Sequence, residues 1–319
     1  MASEFELIDR HFKRPTHHTV LGAGDDGAIV RPSPGMELVI STDMLVAGTH
    51  FLPDTDPENL GWKTLAVNVS DMAAMGAAPR WALLAAALPA ATESWIAAFA
   101  KGFFACADAF GVDVVGGDTT RGPRNFCVTI FGEVPQGQAL LRSGARAGDD
   151  IWVSGQPGLA ALGLAHLQGR CVLEEPALTA CLSALQRPQP RVALGLALRG
   201  LATAAIDVSD GLLADLGHIL EESRAAAMVD FEHLPGVALA FGDDSELARD
   251  CLLAGGDDYE LAFTAPAARR ADVEALAARL PLALTRIGTV EDGTPGEIRL
   301  IENGRPMPAR RRGFDHFGA

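Results

Sequence analysis

The residues of this chain with the types and spacing for chemistry are aspartates set among glycine, serine and threonine at the ends of apolar segments. Four such places recur: Ile40-Ser41-Thr42-Asp43, Val115-Gly116-Gly117-Asp118-Thr119-Thr120-Arg121, Ile206-Asp207-Val208-Ser209-Asp210-Gly211 and Ala254-Gly255-Gly256-Asp257-Asp258. A carboxylate beside hydroxyls and exposed amides suits a hydrated Mg²⁺ that carries phosphates. Glycines at such a place let the backbone approach a ligand closely. One Gly-Gly-Asp is also an ordinary turn, so it is the recurrence that points to a site. The expectation is a scaffold that gathers these acidic turns.

The elements that must position them can be read from pattern. Val112 to Val115 is a short β-branched strand running into the Gly116-Gly117-Asp118 turn, and Leu38 to Ile40 is a strand ending in Ser41-Thr42-Asp43. Asp56-Pro57-Glu58 opens a helix that can run to Met75 and stop at Gly76, with Asp56 as N-cap. Within it Thr64, Asn68 and Asp71 share one face, and Leu65, Val69 and Met72 another. An acid in so apolar a helix costs free energy to bury unless it is paired or bound to a metal; capping a neighbouring element is the other reading of Asp71. The remaining pattern predicts a helix at 92–110 with an aromatic core stripe, and strands at 81–88 and 126–134. The first half is thus an α+β unit with helices on one face of a sheet.

A linker at 136–138 leads to a second, α/β unit. It has strands at 151–155, 228–231, 282–290 and 297–301, and one closed by Asp207 to Asp210. Helices are expected at 158–168, 176–186, 190–200, 211–223, 245–253 and 266–280. Asp210, near a helix N-terminus, is explained by the helix dipole; Asp207, inside the strand end, is not. A short helix is expected at 5–12, followed by the acidic glycine loop Gly24-Asp25-Asp26-Gly27.

Bulk properties exclude several classes. The 319 residues are 48% hydrophobic, enough for a large core, and carry a net charge of -15, with a pI near 4.9. That charge argues against nucleic acid and anionic membranes as partners. The lysines Lys13, Lys63 and Lys101 lie in no G-x-x-x-x-G-K-[ST] loop, which excludes a P-loop site. Five cysteines without a C-x-x-C pair fit free thiols in a reducing cytosol. No signal pattern opens the chain and no segment offers a membrane span, so a cytoplasmic protein is expected.

Taken together and in order, these motifs resemble the thiamine-monophosphate kinase family. They are Gly24-Asp25-Asp26, Ser41-Thr42-Asp43, Asn68 to Gly76, Gly116 to Pro123, Arg142-Ser143-Gly144-Ala145, Asp207 to Leu212, Gly255 to Leu261 and the Asp315-His316-Phe317 ending. The resemblance covers nearly the whole chain. Asp257 stands where the family usually has Glu, and Gly27 where Ala or Cys is commoner; neither removes a proposed ligand. The resemblance implies the two-domain fold shared with aminoimidazole ribonucleotide synthetase, split at 1–137 and 138–319, with N-terminal halves pairing into a β-barrel homodimer. It implies transfer of phosphate from ATP to thiamine monophosphate, giving thiamine diphosphate. It also implies Mg²⁺ ligands Asp26, Ser41, Thr42, Asp43, Asp71, Asp118, Asp207 and Asp210. ATP contacts would be Gly117, Asp118, Arg142 and Ser209, and thiamine-end contacts His50, Glu260 and Phe314. Asp43, Asp71 and Asp118 are expected to matter most for catalysis.

The acceptor in that reaction is a phosphate monoester with a second pKa of ~6, so it is mostly a dianion at neutral pH. It needs no general base; it needs its charge cancelled beside ATP, which carboxylate-held cations do. Rivals within the fold make acyl or imino phosphates, or need a Cys near the N-terminus (none precedes Cys106) or at the C-terminus. A non-catalytic Mg²⁺- or nucleotide-binding protein is the rival from another class. The kinase reading expects Asp26, Asp43, Asp71, Asp118 and Asp207 around one hollow.

Overall fold

Met36–Val46 and Asn125–Pro135 pair antiparallel along their whole lengths, from Met36 opposite Pro135 to Val46 opposite Asn125. This corrects the expected strand end at Ser41-Thr42-Asp43: with a full-length partner, the strand runs straight through the motif. The structure is a computed structural model that describes residues 4–236, 245–308 and 313–314. The Asp315-His316-Phe317 ending lies outside them. The chain divides into two compact units, Met1–Met72 with Ala77–Gly137, and Ala73–Gly76 with Gln138–Ala319.

The first unit holds α1 (Glu4–His11), β1 (Thr19–Leu21), β2 (Ile29–Val30), β3 (Met36–Val46), α2 (Pro57–Ala74), β4 (Ala78–Leu88), α3 (Glu93–Phe110), β5 (Asp113–Arg121) and β6 (Asn125–Pro135). β3 to β6 form one sheet in the order β3-β6-β4-β5, so β3 and β5 are its two edges. β5 also outruns its expected end, because Gly116 to Arg121 continue the parallel pairing with β4. The sheet is open: no closed barrel forms among the described residues.

α2 starts where the Asp56 side chain accepts the Asn59 N–H at 3.0 Å. α3 stops at Gly111, left-handed at φ 65°. The expected aromatic stripe is core: the Phe99 ring stacks on Phe126 with centroids 4.5 Å apart. Alternation puts Ile40 and Met44 on the other sheet face, where they are exposed on the β3 side, while Trp81, Asp113 and Glu133 of that face are buried. Two buried acids unforeseen in the sequence fasten chain to this sheet. Asp113 accepts the N–H groups of His17 and His18 and the Thr19 hydroxyl. Glu133 accepts from Ser33 N–H and Arg80.

The second unit holds β7 (Asp149–Ser154), α4 (Leu159–Leu167), α5 (Ala177–Gln186), α6 (Val192–Leu198), β8 (Ala204–Val208), α7 (Leu212–Ser223), β9 (Ala226–Asp230), α8 (Ser245–Ala254), β10 (Glu260–Pro266), α9 (Arg270–Arg279), β11 (Leu284–Glu291), β12 (Ile298–Glu302) and β13 (Arg305–Met307). The sheet order is β13-β12-β9-β11-β7-β10-β8. All neighbours are antiparallel except β12 and β9. Both faces are covered, and alternation sorts the strands between them. Ile151, Val153, Ile206 and Val208 pack with α7, whereas Trp152, Ala205, Leu261 and Phe263 pack with residues of α6 and α9. No helix among the described residues is long and apolar enough to cross a membrane.

Candidate active site

In the first unit the polar stripe of α2 lies against β3. The Ser41 hydroxyl donates to Asp71 Oδ2 at 2.6 Å. The Asp43 backbone N–H donates to Asn68 Oδ1 at 3.0 Å, and Asn68 Nδ2 donates to the Thr64 carbonyl at 3.1 Å. β3 is an edge strand, so the Asp43 N–H has no strand to pair with on that side and Asn68 satisfies it. The helix thereby sets both the height and the direction of Asp43. Asn68, 1% exposed, was legible as part of the stripe with Asp71 but not as the group that orients Asp43.

Thr42 departs from the expected set. Its side chain points to the opposite face from Ser41 and Asp43, as period-two alternation requires. There it donates to the Val128 carbonyl at 2.9 Å and lies 3.2 Å from the Thr129 hydroxyl. Its backbone alone is shared with the Asp43 side. His50 follows in the turn after β3, where Nδ1 accepts the Val46 N–H at 3.0 Å. That bond puts the imidazole proton of the neutral form on Nε2.

Asp118 and Gly117 lie at the far edge. The register runs Asp43–Val128–Leu84–Gly117 across the four strands, and Met44–Cys127–Ala85–Asp118 one residue along. Three strand spacings put the two edges roughly 14 Å apart, with Asp118 and Asp43 on opposite faces. Asp118, Gly117, Thr120 and Asp26 instead line a cavity of about 1520 Å³, whose other walls include Trp95 and Phe131. Gly117 is required there: at φ +155°, an added Cβ would sit 1.8 Å from the Leu84 carbonyl oxygen. The first unit of one chain therefore makes two polar groups, Ser41/Asp43/Asp71 and Asp26/Gly117/Asp118, rather than one ring of carboxylates. No group of three His, Cys, Asp or Glu side chains among the described residues is already gathered as a metal cage.

In the second unit the acidic turn after β8 is a hub. Asp207 is buried within the strand, and Ser209 and Asp210 are half-buried. The Asp257 N–H donates to the Ser209 carbonyl and the Tyr259 N–H to the Val208 carbonyl, both at 2.8 Å. This interlocks the turn with the Gly255-Gly256-Asp257-Asp258 loop. A Cβ at Gly256 would meet the Ser209 oxygen at 2.4 Å, which accounts for the glycine. Phe314 donates its N–H to the Asp210 carbonyl at 2.9 Å and is 51% exposed beside the turn.

Beneath the turn sits Asp215, which no sequence motif singles out and which accepts the N–H groups of Ser209, Asp210 and Gly211 on one oxygen. Burial, then the nearby Asp207 and Asp210, push its carboxyl up to about 8. Asp258 is raised well above the usual carboxylate range, chiefly by burial, although the Gly158 N–H works against the shift. Glu260 is enclosed: Ser154 Oγ donates to it at 2.5 Å, and Arg191 donates to both its oxygens at 2.6 and 2.5 Å. Arg142 is exposed, on a loop whose Gly144 and Ala145 N–H groups donate to Ser223 Oγ at 3.1 Å.

The oxygen-only donors among the aspartates and Ser41 are the kind that bind hard cations, which in turn hold phosphates. Comparison with known proteins agrees. Residues 24–134 match the family model for the AIR synthase related protein, N-terminal domain. A thiamine-monophosphate kinase of Salmonella typhimurium is 44% identical over 98% of both chains. The crystal structure of thiamine-monophosphate kinase from Stenotrophomonas maltophilia is 48% identical, with a TM-score of 0.84 over 96% of this chain and 98% of that one. A structure described as AaThiL complexed with AMPPCP and TMP is 31% identical, with a TM-score of 0.76 over 98% and 97%. Similarity of this extent, running end to end at well above 30% identity, settles the relationship: the chain belongs to the thiamine-monophosphate kinase family.

Proposed function

We infer that this protein transfers the γ-phosphoryl group of ATP to thiamine monophosphate, releasing thiamine diphosphate and ADP. The observation that carries the reading is full-length kinship to thiamine-monophosphate kinases, with the oxygen-bearing stripe of α2 and β3 intact. The acceptor phosphate is itself the nucleophile, so no side chain need remove a proton; what the protein must do is hold two anions in line.

The donor chemistry fits Mg²⁺: every side chain proposed to hold it is a carboxylate or a hydroxyl. The residues are Asp26, Ser41, Asp43, Asp71, Asp118, Asp207 and Asp210, with Thr42 contributing through its backbone. Bound there, Mg²⁺ would cancel phosphate charge and align the donor and acceptor oxygens. The chain's own residues do the rest. Gly117, Asp118, Arg142 and Ser209 contact ATP, with Gly117 keeping the strand edge bare for close approach and Arg142 clamping a phosphate oxygen. His50 offers Nε2–H to the acceptor. The exposed Phe314 ring beside an acidic turn suits the cationic thiazolium. Glu260 acts from within its pairing with Arg191.

We further propose a homodimer. The exposed β3 side of this sheet face, with Ile40 59% and Met44 52% exposed, is an apolar surface for a second copy. Pairing would also bring the Asp118 edge of one copy to the Asp43 edge of the other, which one chain keeps apart. Mixing D43N and D118N chains tests this: regained activity supports a shared site, and two inactive variants that stay inactive after subunit exchange refute it. The primary test is incubation with ATP, Mg²⁺ and thiamine monophosphate. Thiamine diphosphate must appear; ATP consumed without it refutes the reading.

A further inference from the structure

Three consecutive backbone N–H groups, those of Ser209, Asp210 and Gly211, converge on Asp215 Oδ2 at 3.0, 3.0 and 3.1 Å. Such a run of amides is an anion-binding concavity. Here a side chain of the same chain fills it, and that side chain is 3% exposed. From the other side the turn is held by its carbonyls. Val208 accepts from Tyr259, Ser209 from Asp257, and Asp210 from Phe314. Gly211, at φ +122°, has no room for a side chain because its Cβ would lie 2.7 Å from the Ala254 backbone. The backbone from 208 to 211 is thus fixed from below by one carboxyl group and from the side by three amides.

We propose that Asp215 is a positioning residue: it occupies the amide concavity of the acidic turn and so fixes the backbone from which Asp207 and Asp210 reach their cation. Without Asp215 the same three amides would be free to attract another anion and to re-aim the turn. The proposal rests on the reading of Asp207 and Asp210 as cation ligands, and it adds a residue that touches neither substrate nor metal. Partners behind a ligand govern cation affinity strongly, with ~10- to 100-fold lost on their removal.

The test uses the full chain with AMPPCP and thiamine monophosphate present, and Mn²⁺ as the probe, its free fraction read by electron paramagnetic resonance. D215A and D207N should each weaken Mn²⁺ binding by on the order of tenfold or more. D215N keeps a carbonyl oxygen for the three donors and should stay within about threefold of the parent. If D207N lowers affinity and D215A does not, the positioning role is wrong while the ligand role of Asp207 stands. If D207N leaves affinity unchanged, the ligand reading fails and the proposal with it. If D215N is as weak as D215A, charge rather than acceptor geometry matters, which also overturns the proposal. Should D215A not fold, G256A displaces the turn from the opposite side with Asp215 in place. It must then weaken Mn²⁺ binding comparably, and parent affinity in a folded G256A refutes the argument.

Discussion

Alanine at Gly117 and alanine at Gly116 differ by one position and should differ sharply in outcome. At Gly117 the new Cβ would lie 1.8 Å from the Leu84 carbonyl oxygen, 2.7 Å from its carbon and 3.0 Å from its nitrogen. A carbon–oxygen contact needs about 3.3 Å, so the two strands must part by roughly 1.5 Å, a third of their ~4.8 Å spacing. β4 is an inner strand with Leu84 buried, so β5 must yield, carrying Asp118 and Thr119 with it. Overpacking costs ~1–3 kcal/mol and the φ of +155° adds ~1–2 kcal/mol for a residue with a Cβ. The sum is a loss of ~2–5 kcal/mol in unfolding free energy by urea titration. AMPPCP affinity, read by calorimetry, should fall with it. At Gly116 the new Cβ meets only the tip of the Leu83 side chain, at 3.3 Å, which can turn aside for less than ~1 kcal/mol. G117A with parental stability and AMPPCP affinity would refute both the strand geometry and its use. Equal damage from G116A would refute the argument that the Leu84 carbonyl is the obstacle.

Asp43→Asn should lower turnover by ~10²-fold or more at saturating substrates if it removes charge stabilisation in the transition state; turnover near the parent's at low Mg²⁺ would contradict its assignment. Thiol labelling at pH 8 should modify Cys127 and Cys171, which are partly exposed, and spare Cys181 and Cys251 in the folded protein. Burial pushes those two up to about 11 and about 12, and rapid loss of all the thiols would contradict it. Asp113 sits below its ordinary 3.8: burial opposes ionisation, but bonds from His17, Thr19 and His18 outweigh it. A depressed carboxyl stabilises the fold above its unfolded value and loses that contribution as pH falls through the folded one. The stability gap between parent and D113N should therefore be full above about pH 4 and shrink below it. A gap independent of pH would refute the charge argument.

Much of this architecture was legible because it is local. The helix over Pro57–Ala74 follows from Asp56, Pro57 and a left-handed Gly76, and the 93–110 helix from its aromatic period and Gly111. That Thr64, Asn68 and Asp71 share one face followed from spacing along α2; that this face meets β3 did not. What was not legible depends on partners distant in sequence. Ser41-Thr42-Asp43 and Gly116-Gly117-Asp118 read as turns because polar and small residues end most strands, yet β6 and β4 carry the pairing through them. The separation of Asp43 from Asp118 is a matter of strand order, which no local pattern encodes. β13 escaped notice as well, since Arg305–Met307 has no strand-like pattern and forms by pairing with β12. Asp215 left a faint signal, an acid in the first turn of an otherwise apolar helix segment, but the dipole explains such an acid equally well. Only the converging amides reveal its place.

The most direct measurement is the fate of the γ-phosphorus. With ATP labelled at that position, Mg²⁺ and thiamine monophosphate, the label should pass into thiamine diphosphate in equal amount with the ADP formed, with none held on the protein. Label found in inorganic phosphate or on the chain, with thiamine monophosphate unchanged, would contradict direct transfer between the two bound molecules.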